Sequence, residues 1–145
     1  MPTYTFDISV IIAYKVDELP KNFLLSVAVV AELTASANDD SSRKVFEAMR
    51  QEYERLDTLI VSNADNWLAA SRILYWLSQG RKKRTGGKAP KLIRCASQRM
   101  FLNALIAVSA RRKEATMVTD DWDDFIVIQY YCPVKLPRGS DFFKP

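Results

Sequence analysis

Acidic side chains at the ends of predicted strands are the residues of this sequence best suited to chemistry. Asp7 follows a short β-prone segment, and Glu32 lies a few residues beyond an apolar run. Asp121 and Asp124 follow a third such segment. Sites in parallel α/β sheets form outside the carboxyl ends of the strands, so these acids would converge at one edge. Converging carboxylates repel one another unless a cation neutralises them.

The composition narrows the choice of cation. The 145 residues include no histidine, which excludes Ser-His-Asp and Cys-His catalysis and zinc bound by imidazole. Two cysteines, Cys95 and Cys132, are too few for a disulfide scaffold or a four-cysteine metal site. Hard oxygen ligands select Mg²⁺ or Mn²⁺, and such ions can activate water and stabilise the leaving oxygen of a phosphodiester.

Each acid also has a purely structural interpretation. Asp7 could cap a helix, Glu32 could lie on a solvated face, and residues 120–124 could form an exposed turn. The joint occurrence of these acids at strand ends favours the metal site over three separate coincidences.

The charge distribution is uneven along the chain. The net charge is +4, yet residues 81–113 contain eleven Lys or Arg and no Asp or Glu. A basic surface beside an acidic cluster is typical of an enzyme that acts on a polyanion with a divalent cation, and the alternative is a solvated helix end and loop. The candidate contacts to nucleic-acid phosphates are Arg81, Lys82, Lys83, Arg84, Lys88 and Arg99.

The basic segment does not form a phosphate-binding P-loop. The first glycine of that motif is missing at Lys82, and Ala89 stands where Ser or Thr would bind Mg²⁺. The aromatic residues of the preceding helix, Trp67, Tyr75 and Trp76, are interpreted as core or dimer contacts rather than as base-stacking groups.

Apolar periodicity predicts alternating strands and helices. Strands are predicted at residues 4–6, 23–27, 59–61 and 115–119, with further β structure at 126–128 and 130–132. Helices are predicted to begin near Asp7 or Ser9 and to cover 29–35, 40–56, 66–79 and 92–113, with Gly80 ending the fourth and an acidic turn at 120–125. This order indicates one domain over residues 1–145, an α/β sandwich with a mostly parallel sheet and an irregular C-terminal tail.

No apolar run approaches the roughly 20 residues of a membrane-spanning helix. The N-terminus carries Asp7 and no basic lead-in, so we expect neither a signal peptide nor a membrane partner. A cytoplasmic protein is the expectation.

Four segments resemble, in order, the motifs of the PIN domain, the metal-dependent nuclease fold of VapC-type toxins. They are FDISVIIA (6–13), SVAVVAEL (26–33), NALIAVSA (103–110) and ATMVTDDWDDF (115–125). The resemblance implies a three-layer α/β sandwich with a mostly parallel central sheet. It further implies an endoribonuclease of a toxin–antitoxin system that uses Mg²⁺ or Mn²⁺ on RNA, forms a homodimer and is blocked by an antitoxin. The basic loop could then also be an antitoxin-binding surface.

The resemblance also assigns roles to individual residues. Its acidic positions, which hold the metal, fall on Asp7, Glu32, Asp121 and Asp124. It does not decide whether Asp121 or Asp124 binds the metal directly. Ser9 and Thr119 match hydroxyl positions that orient the acids.

Asn103 departs from the family pattern, which usually has Asp there. An amide offers one oxygen ligand, carries no charge and cannot act as a base, so cation binding should be weakened and turnover could be lost. Arg99 is predicted one turn earlier on the same helix face. The chain is then a weakened or inactive relative, or a toxin inactivated for expression. Two further alternatives are a catalytically dead module that binds RNA or protein, and a DNA-directed nuclease. Simple helix packing of Asn103 is the minor interpretation.

Overall fold

Short strands alternate with helices in the computed structural model, which describes residues 3–14, 19–20, 22–84 and 94–144. For 81–84 and 94–97 only the backbone is described. The strands are β1 (Tyr4–Phe6), β2 (Leu25–Ser26), β3 (Leu59–Ile60) and β4 (Thr116–Val118). The helices are α1 (Ile8–Ala13), α2 (Val27–Ala35), α3 (Asp40–Arg55), α4 (Ala64–Arg84), α5 (Arg94–Arg112), α6 (Trp122–Tyr131) and α7 (Gly139–Phe142).

The described strands pair in parallel, in two small sheets. In one sheet β1 pairs with β4, with Phe6 opposite Val118, and in the other β2 pairs with β3, with Leu25 opposite Leu59. A single parallel bridge between Thr5 and Leu24 lies between the sheets. Since all four strands run the same way, their carboxyl ends share one edge, which confirms the prediction of a mixed α/β fold with parallel strands.

The buried core lies between these strands and the helices that follow them. Phe6, Val29, Ile106 and Met117 are at most 1% exposed. Helix α2 begins at Val27, directly after β2, so the predicted second strand is shorter than expected and the helix starts earlier. No helix within the described ranges is long and apolar enough to cross a bilayer.

The late β structure predicted at 126–128 and 130–132 is wrong, because these residues form α6 and its end. The β-branched and aromatic residues favour a strand locally, but burial follows a helical period, with Phe125 and Ile128 buried and Val127 and Tyr130 exposed. Asp123 and Asp124 lie in the first turn, where their charges stabilise the helix dipole. The predicted acidic turn is therefore mostly the first turn of α6.

Two other helix boundaries differ from the prediction. Gly80 does not end α4, which continues to Arg84; a glycine inside a helix costs about 1 kcal/mol relative to alanine, and good helix formers follow it here. The tail predicted to be irregular contains α7, and Phe143 after it stacks on Tyr14, with ring centroids 4.3 Å apart. Packing against the core thus orders a segment that has no periodic pattern of its own.

Candidate functional site

The Asp7 side chain lies at the carboxyl end of β1 and caps α1. It is 1% exposed, and its Oδ1 accepts hydrogen bonds from the Ser9 hydroxyl at 2.6 Å and from the Val10 amide at 3.3 Å. Its Oδ2 accepts from the Thr119 hydroxyl at 2.5 Å. The parallel pairing of β1 with β4 brings Thr119 beside Asp7 across 112 residues of sequence. Both carboxylate oxygens are therefore held in place.

The two hydroxyls that hold Asp7 also position the acidic segment after β4. Thr119 Oγ1 accepts from the Asp121 amide at 2.9 Å, and Ser9 Oγ accepts from the Asp120 amide at 3.1 Å. Each hydroxyl thus donates to Asp7 and accepts from the backbone of this segment. Ser9 and Thr119 thus hold the Asp7 side chain and the backbone of this segment together in the structure.

Replacing Thr119 by Val should lower the free energy of unfolding by about 1–3 kcal/mol, because a buried carboxylate loses a donor and the Asp121 amide loses its acceptor. Urea unfolding in EDTA measures the change. The matched control is Thr119→Ser, which keeps the hydroxyl and should lose about 1 kcal/mol with its methyl group. A valine variant as stable as the unchanged chain would contradict the proposed hydrogen-bond pair.

Glu32 lies on α2 and faces the same edge of the fold. Its Oε1 is buried and has no hydrogen-bond partner in the part of the chain that the structure describes. Burial raises the pKa of Glu32, and the charges of Asp7 and Asp121 raise it further. An ionised Glu32 is thus exposed to two like charges, and its Oε1 finds no donor among the described residues.

Asn103 connects the two acids of the last motif. Its side chain is 3% exposed on α5, and its Nδ2 donates to Asp121 Oδ2 and to Asp124 Oδ2, both at 3.2 Å. Asp124 Oδ2 also accepts from Arg99 Nε at 3.1 Å. The amide therefore presents its donor side to two carboxylates, an arrangement that an aspartate at the same position could not reproduce.

The electrostatics are unfavourable for the ionised acids. Burial raises the pKa of Asp7 more than the hydrogen bonds from Ser9 and Thr119 lower it. Burial also raises the pKa of Asp121; the charge of Asp124 adds to this, and the Asn103 hydrogen bond opposes it. Perturbed carboxyl groups close to one another are typical of functional sites, although ion-pair networks can produce them too.

The structure brings seven of the predicted site residues into two hydrogen-bonded groups, and the described Glu32 side chain belongs to neither. Asp7, Ser9, Thr119 and Asp121 form one hydrogen-bonded group, and Arg99, Asn103, Asp121 and Asp124 form a second that shares Asp121 with the first. The side chains of Arg81, Lys82, Lys83 and Arg84, and the whole of Lys88, lie outside the described residues. Across the described part of the chain, no group of three His, Cys, Asp or Glu side chains is arranged to hold a metal ion.

Sequence reasoning missed the contact of the C-terminal segment with this site. Asp120 Oδ1 accepts from the Ser140 amide at 3.1 Å, and the Gly139 amide donates to the Thr119 carbonyl. A Cβ atom at Gly139 would lie 2.7 Å from Asp120 Oδ2, so glycine permits this close approach. The lone glycine in a polar tail was the available signal, and it does not by itself indicate a partner.

The interpretation of this site rests on the sequence motifs and on the geometry described above, because the comparisons with known proteins found no match. The four motif segments account for the buried acids and hydroxyls described above. No protein-family model matches the sequence, and a search of curated proteins gives no significant match.

Proposed function

We propose that the chain is a PIN-like endoribonuclease of the VapC type, which hydrolyses RNA phosphodiesters with Mg²⁺ or Mn²⁺. The observation that carries the proposal is Glu32, whose buried Oε1 has no partner among the described residues while Asp7 and Asp121 raise its pKa. A stable fold usually satisfies a buried carboxylate with a donor or a counter-charge. A divalent cation would supply that counter-charge.

The donor set fits a hard cation. The oxygen atoms gathered here belong to carboxylates and hydroxyls, and Mg²⁺ and Mn²⁺ prefer such hard ligands. We assign Asp7, Glu32 and Asp121 to direct binding. Their side chains are not grouped around one point among the described residues, so the ion would have to draw them together. Asp124 is assigned to the neighbouring position, because its Oδ2 already forms an ion pair with Arg99. When bound, the ion supplies Lewis-acid stabilisation of the phosphodiester and of its leaving oxygen.

The protein's own residues position the proposed metal ligands and the RNA. Ser9 and Thr119 fix both oxygens of Asp7, and Thr119 also fixes the backbone that carries Asp121. Arg99 is 63% exposed at the edge of the site, where its guanidinium could contact an RNA phosphate. Asn103 donates to acids and takes no proton, so it is a positioning residue here.

The proposal also covers the architecture, the oligomeric state, the location and the protein partner. The order β4, β1, β2, β3 across the Thr5–Leu24 bridge supports a parallel central sheet, and helices on its two faces would complete the three-layer sandwich. Exposed Trp67, Leu68 and Tyr75 on α4 support a homodimer contact. A cytoplasmic location and a cognate antitoxin complete the proposal.

Asp7→Asn tests the site directly. RNA, single-stranded and structured, is incubated with each chain in Mn²⁺ or in EDTA and cleavage is followed on gels. Cleavage should require the ion and fall about 100-fold or more in the variant, because metal-ion catalysis contributes several kcal/mol. The matched control is Asp39→Asn, the same change at the exposed cap of α3, which should cleave as the unchanged chain does. Cleavage in EDTA, or full cleavage by Asp7→Asn, would contradict the proposed site.

A catalytically inactive RNA-binding or protein-binding module is the second candidate. The observation that favours it is the uncharged Asn103, whose donated hydrogen bonds already hold Asp121 and Asp124 without a cation. Salt-sensitive RNA binding without cleavage, by the unchanged chain and by Asn103→Asp alike, would favour this candidate over the nuclease. A parallel assay on single-stranded and duplex DNA identifies a DNA-directed nuclease.

A further inference from the structure

A cavity opens between α4, α5 and the end of α6, away from the acids of the candidate site. Its volume is about 440 Å³, within the range of small-molecule sites. Arg111, on its rim, follows Asn103 along α5 by about 12 Å at 1.5 Å per residue. The cavity is therefore separate from the candidate active site, and the proposed function does not use it.

Three guanidinium groups surround this cavity, on Arg72, Arg111 and Arg112. Throughout the described residues, none of the three forms an ion pair with a carboxylate. Arg112 donates to the Val61 carbonyl at 2.7 Å and is held in place by it. Asp65 also lines the cavity and is the acidic residue of the lining. The cavity lining therefore carries three positive charges and one negative charge, and its guanidinium groups offer forked donors.

The interior of the cavity is apolar and aromatic. Trp76 and Tyr131 form one wall and stack on each other, with ring centroids 5.5 Å apart and an interplanar angle of 24°. Ile73, Val108 and Cys132 line the floor and are buried. Such a surface can pack against a planar ring, whereas an inorganic anion has no apolar surface to pack there.

We propose that this cavity binds a phosphorylated nucleoside. The arginines would bind its phosphate through paired N–H donors, and the aromatic wall and apolar floor would contact its base. Asp65 could accept a hydrogen bond from a sugar hydroxyl. Such a ligand is available as a free mononucleotide or as the phosphorylated end of an RNA, and both present the same chemistry.

Calorimetric titration with AMP and UMP tests the proposal, in EDTA so that no cation bridges a phosphate to the acids. We expect one nucleotide to bind at least about tenfold more tightly than adenosine, uridine or inorganic phosphate. Arg72→Gln and Arg111→Gln should each weaken binding by about tenfold or more, because each removes a charged hydrogen bond. The matched control is Arg50→Gln on α3, which should bind as the unchanged chain does. Thermal unfolding of all variants checks that they fold.

A short RNA with and without a 5′ phosphate separates the two sources. An RNA end that binds as tightly as the mononucleotide assigns the site to RNA ends, and a much weaker one assigns it to free nucleotide. No saturable binding of either nucleotide would overturn the proposal. So would nucleotide binding no tighter than that of phosphate, or folded arginine variants with unchanged affinity. Asp7→Asn should leave nucleotide affinity unchanged, so failure here and failure of the proposed nuclease are distinguishable.

Discussion

The Asn103→Asp variant should bind Mn²⁺ at least about tenfold more tightly and cleave RNA correspondingly faster than the unchanged chain. Asn103 Nδ2 donates to Asp121 Oδ2 and Asp124 Oδ2, so a carboxylate at this position would add negative charge directly beside the proposed metal ligands. Mutation of a group that contacts a metal ligand typically changes metal affinity or activity by 10- to 100-fold. Isothermal titration with Mn²⁺ and a gel-based cleavage assay measure the two effects.

The same substitution should have the opposite effect on the metal-free protein. Without a cation, the introduced carboxylate would donate neither hydrogen bond of the amide and would place a third acid beside Asp121 and Asp124. We expect the free energy of unfolding in EDTA to fall by about 1–3 kcal/mol, and saturating Mn²⁺ to restore it. This reversal separates a metal site from ordinary packing, in which the ion would make no difference.

The control for this variant is Asn38→Asp, the same change at an exposed position between α2 and α3. It should alter stability, Mn²⁺ affinity and cleavage by little. If Asn103→Asp neither binds Mn²⁺ more tightly nor cleaves RNA, the proposed activity is wrong and the binding module is favoured.

The contact between Asp7 and Thr119 was predictable from the sequence because it depends on topology. Strands that end in Asp7 and Thr119 bring these residues together as soon as the strands pair in parallel, and β1 and β4 do so. Residue type then determines the contact, since a hydroxyl beside a buried carboxylate has a strong preference to donate to it. The position of Glu32 on the helix after β2 follows from the same rule.

The features that the sequence did not reveal depend on tertiary contacts. In α6, residues such as Ile126 and Val127 favour a strand locally, and only the burial of Phe125 and Ile128 against the core selects the helix. The amide of Asn103 could in principle face its neighbours with oxygen or nitrogen. Its donor role becomes evident only when two carboxylates are found in front of it.

The arginine-lined cavity could not be predicted for a similar reason. Arg72 and Arg111 belong to different helices, and neither lies in a motif with a recognisable spacing. Arg111 and Arg112 lie at the end of the basic segment 81–113, but Arg72 lies outside it, and residues 85–93 of the segment lie outside the described part of the chain. Local charge runs thus indicated a polyanion partner without indicating where separate basic side chains would meet.

Glu32→Gln should stabilise the metal-free protein while abolishing its stabilisation by Mn²⁺. In EDTA the carboxylate of Glu32 is partly buried, has no partner for Oε1 among the described residues, and faces the charges of Asp7 and Asp121. Removing its charge relieves this repulsion, so the free energy of unfolding at about pH 7.5 should rise by about 1–2 kcal/mol. The variant should lose most of its Mn²⁺ affinity, because a carboxylate ligand has become an amide.

The pH dependence in EDTA provides the second measurement on this variant. The folded protein raises the pKa values of Asp7, Glu32 and Asp121 above their usual values near 4, so above that range the folded state binds more protons than the unfolded state. Stability should therefore fall as pH rises from about 5 through these raised pKa values. The exposed acids whose pKa values are lowered, such as Asp40 and Glu52, act in the opposite direction and only at lower pH.

Thermal unfolding from about pH 5 to about pH 7.5 should show this decline in the unchanged chain and a weaker decline in Glu32→Gln. Saturating Mn²⁺ should flatten the profile of the unchanged chain, because the cation stabilises the ionised acids, and should leave the profile of the variant nearly as it is in EDTA. The control is Glu47→Gln on α3, where the carboxylate is exposed and paired with Arg43. It should retain both the pH dependence and the response to Mn²⁺. A Glu32→Gln protein that Mn²⁺ still stabilises fully would place the cation elsewhere and remove Glu32 from the site.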